Sequence, residues 1–112
     1  MVQLKVPWLE LEHDLKWRDE LSDIKVVNKI TQEQLEVVEK WSIWEKEIST
    51  FPWSYDEMET CYFLEGDVVV TPKGGEPVTM GKGDLVTFPA GMSCTWQINK
   101  PVRKHFIFGS TL

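Results

Sequence analysis

Gly83-Asp84-Leu85-Val86-Thr87-Phe88-Pro89-Ala90-Gly91-Met92-Ser93-Cys94-Thr95-Trp96-Gln97-Ile98 carries two short strand signals separated by a turn. After Asp84, residues 85–88 are apolar or β-branched, and Ala90-Gly91 has turn chemistry. From Ser93 onward the polarity alternates strictly. Ser93, Thr95 and Gln97 fall on one face, and Cys94, Trp96 and Ile98 on the other. A period of two marks a half-buried strand, so Cys94 and Trp96 are expected to point inward.

The same grammar extends in both directions. Strands are expected at residues 43–49, 60–65, 67–71, 77–80, 84–88, 93–98 and 102–108. Gly66-Asp67, Lys73-Gly74-Gly75, Gly81-Lys82-Gly83-Asp84 and Asn99-Lys100-Pro101 supply further turns. Many short strands without long helices between them predict an all-β antiparallel barrel or sandwich. On the last strand Val102, Phe106 and Phe108 form the apolar set, a phase that carries Lys104 inward and leaves Arg103 and His105 facing out. Upstream, Thr31 and Gln34 fit a capping box, with Ile30 and Leu35 placed as a hydrophobic staple, so a short helix is expected over residues 32–39. Residues 1–29 mix Leu4, Val6, Trp8, Leu9, Leu11 and Leu15 with charges. They read as an extended arm with one short helix, leading into a single barrel domain over residues 30–112.

Composition narrows the function. With 112 residues the chain has room for one core. A net charge of −6, with no basic group longer than Arg103-Lys104-His105, argues against nucleic acid. No apolar run is long enough to span a bilayer, and the N-terminus lacks the core of a signal peptide, so a cytoplasmic protein is expected. Cys61 and Cys94 form no zinc-finger spacing, and both are expected to be free thiols. Six tryptophans in so short a chain fill the core or line a pocket or interface.

Two stretches resemble the paired motifs of the cupin superfamily. Gly83 to Cys94 is similar to the pattern G-x5-P-x-G-x2-H, with Cys94 at the histidine position. Glu59-Thr60-Cys61-Tyr62-Phe63-Leu64-Glu65-Gly66 resembles the E-x6-G end of the first motif, whose preceding H-x-H falls at Trp53 and Tyr55. Glu59-Thr60-Cys61-Tyr62, the run from Phe88 to Trp96 and Arg103-Lys104-His105 resemble small single-domain cupins of unassigned function, grouped with the ureidoglycine aminohydrolase cupins and the cupin part of an ethanolamine-utilisation protein. The resemblance spans Trp41 to Phe108 and implies a small jelly-roll barrel. By that resemblance, the positions at which metal-dependent cupins carry three histidines and a glutamate fall at Trp53, Tyr55, Glu59 and Cys94. Only Glu59 and Cys94 could donate, a hard carboxylate beside a soft thiol, so no cofactor is favoured and a divalent transition metal is the lesser expectation.

Trp53, Tyr55, Phe63 and Trp96 are therefore expected to wall a pocket whose polar groups are Glu59, Cys94 and Lys104. Such pockets bind small polar organic molecules. Glu59 and Cys94 are the candidate catalytic residues, although Cys94 has no evident base beside it. Two arrangements of Glu59 stay open: pairing with Lys104, or facing aromatic walls away from any permanent cation. The leading reading is a small-molecule binding module, or an enzyme of modest machinery. The rivals are a metal-assisted enzyme acting on a small ureido or amino compound, and a structural or regulatory homodimer. A homodimer is expected in any case, because unpaired strand edges favour association.

Overall fold

The computed structural model of the chain describes residues 23–112. The expected helix in the N-terminal arm lies outside the described residues. Among the described residues are one helix and seven antiparallel strands: β1 (Lys25–Val27), α1 (Gln32–Val38), β2 (Ser42–Lys46), β3 (Ser49–Ser54), β4 (Glu59–Pro72), β5 (Val78–Gly81), β6 (Leu85–Phe88) and β7 (Ser93–Phe108).

The helix starts as its sequence requires. Gln34 N donates to Thr31 Oγ1 at 3.1 Å, and Thr31 N donates to Gln34 Oε1 at 2.9 Å. This capping box satisfies two backbone donors that helix geometry leaves without partners.

The strands are organised by two long ones. β4 and β7 lie side by side from Glu59–Phe108 at one end to Pro72–Cys94 at the other. The free edge of β4 takes β6 along residues 59–62 and β5 along residues 67–70. The free edge of β7 takes β3 along residues 93–98 and β2 along residues 102–106. β1 extends the sheet beyond β6, pairing Val26 with Val86. Each long strand thus serves two half-sheets, and the halves close on each other. Trp96 of one half meets Phe63 and Phe88 of the other at ring separations of 6.3 and 5.7 Å. The expected antiparallel jelly roll is what forms.

Several boundaries differ from expectation. Gly66-Asp67 and Asn99-Lys100-Pro101 read as turns but lie inside β4 and β7 as irregularities in their pairing. Gly66 sits at φ +134°, a conformation that L side chains rarely adopt. Its bulge changes the inward parity of β4, from Cys61 and Phe63 to Val68 and Val70. Pro101 falls between Ile98, which pairs with Ser49 at the start of β3, and Val102, which pairs with Lys46 at the end of β2, so its missing N–H costs no ladder bond on that edge. The strand expected over residues 43–49 ends at Lys46, and β3, which was not expected, begins at Ser49. β1 lies within the stretch read as an arm.

The alternation in residues 93–98 holds as read. Cys94, Trp96 and Ile98 are buried, and Ser93, Thr95 and Gln97 are exposed. His105 does face away from the barrel interior, but it is buried there, its Nδ1 donating to the Trp41 carbonyl at 3.1 Å. The residues that follow α1 cover it.

Candidate functional site

At the end of the barrel where β2, β3, β4 and β7 meet, the inward side chains do not fill the interior. A cavity of about 240 Å³ remains there. Strand register explains its lining. Trp44 stands opposite Lys104, Phe51 opposite Trp96, and Glu59 opposite Phe108. With Trp53, Tyr55 and Phe106 these residues make the wall. Trp53 and Phe108, each 48% exposed, stand at the mouth.

Its polar floor is a single ion pair. Lys104 Nζ donates to Glu59 Oε2 at 2.6 Å, and both side chains are only 5% exposed. The ammonium also lies 4.9 Å from the Trp44 ring centroid, 5.1 Å from that of Trp96 and 5.9 Å from that of Phe106. Ring faces carry negative charge density and stabilise a desolvated cation. Carboxylate and aromatic box together offset what burying a lysine costs.

The rest of the shell is neutral. Trp96 Nε1 donates to Tyr55 Oη at 3.2 Å, and the Tyr55 ring stacks on Phe88. Burial first, and the Glu59 charge second, push the Tyr55 phenol well above its ordinary range. Burial pushes the Cys61 thiol up to about 12, against the pull of the nearby Lys104 ammonium. Burial likewise raises the Cys94 thiol.

Of the seven side chains expected at a pocket, Trp53, Tyr55, Glu59, Trp96 and Lys104 line this cavity. Phe63 and Cys94 do not. Both are buried in the core cluster behind the wall, because an inward phase gives a face and not a depth. Trp44, Phe51, Phe106 and Phe108 belong to the lining and were not assigned to it. The alternation Phe51-x-Trp53-x-Tyr55 was the available signal for the first strand of that wall. Glu59 is paired with Lys104, so the alternative in which it faces away from a cation does not occur.

The four positions at which cupins hold a metal do not fit one here. Trp53 has no lone pair to donate. The Tyr55 phenol and the Cys94 thiol are both shifted toward their protonated forms. Glu59 is engaged by an ammonium. Among the described residues no three His, Cys, Asp or Glu side chains converge, whereas protein metal sites ordinarily use three or four ligands.

Comparison with known proteins bears on the fold and the family. The profile of the EutQ-like cupin domain covers residues 33–106. A DUF861-family protein of Thermotoga maritima is 49% identical, over 77% of this chain and 99% of that one, with a TM-score of 0.73. The Clostridium difficile EutQ protein is 19% identical, with a TM-score of 0.55 over 76% of this chain and 66% of that one. A putative ethanolamine utilization protein Q from Salmonella typhimurium is 20% identical, with a TM-score of 0.54 over 80% and 73%. At those identities the last two show a shared fold alone. No curated protein matches the chain. With two thirds of its length under that profile and a near half-identical structural relative, the chain belongs to the EutQ-like cupin family.

Proposed function

We propose that this cupin is a binding module for a small polar organic molecule, seated in the cavity between β2, β3, β4 and β7. One observation carries the reading: a buried Glu59–Lys104 pair forms the floor of an otherwise aromatic cavity with an open mouth. Mostly apolar cavities with a few convergent polar groups are the usual design of ligand sites. A thermal-shift screen of small polar compounds tests it, run on the native chain and on Trp53→Ala. Trp53 is half exposed, so its loss should leave the fold intact while weakening any guest at the mouth. Hits that stabilise both proteins equally count against the cavity.

The donor set argues that binding proceeds without a resident metal. Elemental analysis of purified protein should find well under one equivalent of transition metal. Stoichiometric metal that survives dialysis and disappears in Glu59→Gln would restore the metal-assisted reading. Assembly as a homodimer is also proposed, supported by the edge strand β2 and by exposed Ile43 and Ile48 nearby. Light scattering at micromolar concentration checks it, and a monomer overturns it.

A further inference from the structure

The chemistry of the floor narrows the class of guest. We infer that the cavity selects neutral planar amides, presenting a C=O and an adjacent N–H to Lys104 and Glu59 respectively; this rests on the binding reading above.

The pair is joined through one carboxylate oxygen, Oε2. Among the described residues Glu59 Oε1 has no hydrogen-bond partner, although Glu59 is buried and lines the cavity. Lys104 carries three N–H donors and directs one to Glu59, and ring faces surround it. The floor therefore offers one strong acceptor beside strong donors, all already desolvated. A group carrying a donor next to an acceptor satisfies both with charge-assisted hydrogen bonds. An amide edge is the simplest such group.

Charge disfavours guests that carry a single net charge. Glu59 and Lys104 cancel, so the floor is net neutral. A carboxylate guest would meet Lys104 but bring a second anion against Glu59. An ammonium guest would meet Glu59 but bring a second cation against Lys104. Either one buries an uncompensated charge in an aromatic enclosure, which is strongly unfavourable. The walls add shape. Trp44, Phe51, Trp53 and Phe108 present aromatic surface, which favours a flat unsaturated body over a branched one.

Three probes of similar size separate these outcomes: benzamide, benzoate and benzylammonium. Titration of the native chain is followed through the indole N–H signals of Trp44 and Trp96, which flank Lys104. Benzamide is expected to shift these signals and to bind about tenfold more tightly than either ion, the margin of one lost hydrogen bond to a charged group. In Glu59→Gln the order should reverse toward benzoate, because Lys104 is then an unpaired cation. Trp53→Ala, at the mouth, should weaken all three probes without changing their order. Tighter binding of benzoate or benzylammonium to the native chain, with the same indole shifts, overturns the amide inference and leaves the cavity as a binding site. No shift from any probe up to millimolar concentration overturns both.

Discussion

At the residue scale the decisive contact is 2.6 Å long, between Lys104 Nζ and Glu59 Oε2. Removing one member leaves the other buried without a counter-charge. Glu59→Gln and Lys104→Met should each cost about 3–5 kcal/mol of stability, and the double variant should recover most of that loss. Urea denaturation of the three proteins checks this, and additive losses would show that the two groups do not depend on each other. The cysteines give a second residue-scale expectation. Cys61 is fully buried, Cys94 nearly so, and burial raises both thiols, which suppresses the reactive thiolate. An aromatic disulfide reagent should label neither in the native chain and both after unfolding. Rapid native labelling of Cys94 would instead place it at an accessible site. Lys104 was legible as an inward residue because it shares its parity with Phe106 and Phe108. The shortfall at Cys94 and Phe63 has a physical cause: alternation says which way a side chain points, while the depth of a cavity depends on what the opposite sheet sends in.

At the scale of elements, β4 and β7 show how turn chemistry can mislead. Gly66-Asp67 and Asn99-Lys100-Pro101 have the composition of chain reversals, and a bulge asks for the same residues. The difference is made by the partner strand, which continues past both points and holds the chain in pairing. Nothing local in the sequence reports that. Gly66 is the more constrained of the two bends. A Cβ there would lie 3.0 Å from Val102 Cγ2 in a backbone region disfavoured for L residues. Gly66→Ala should destabilise by about 1–3 kcal/mol. Gly81→Ala should also destabilise, because its Cβ would meet the Gly66 carbonyl oxygen at 2.6 Å, so β5 would have to move away from the bulge. Gly74 has positive φ but open space around its Cβ position, so Gly74→Ala should carry the smaller backbone cost alone. Thermal melts rank the three. A Gly74→Ala loss equal to that of Gly81→Ala would remove the packing argument.

At the scale of the whole molecule, the barrel hides groups that ionise in alkali. The Cys61 thiol moves from an ordinary 9.0 to about 12, and Tyr55 and Cys94 shift in the same upward direction. In each, the folded chain holds its proton more tightly than the unfolded chain does. Their contribution to stability is therefore complete below about pH 9 and is lost as pH rises toward 12. Denaturation midpoints should hold level from neutral pH to about 9 and then fall, with a shallower fall in Cys61→Val. An equal fall in that variant would assign the alkaline loss to other groups. The jelly roll itself was legible because its evidence is repetitive, strand after strand bounded by glycine and proline. The cavity was half legible, since Trp44 and Phe51 join it only when β2 and β3 settle end to end along β7. The self-neutralising floor also bears on ionic strength. The chain carries six net negative charges, yet a neutral guest seated over a cancelled, water-excluded ion pair feels little of that field. Benzamide titrations in dilute buffer and in strong salt should superimpose, while the exposed Arg103–Glu45 pair, at 3.1 Å on the outer surface, weakens as counterions screen it.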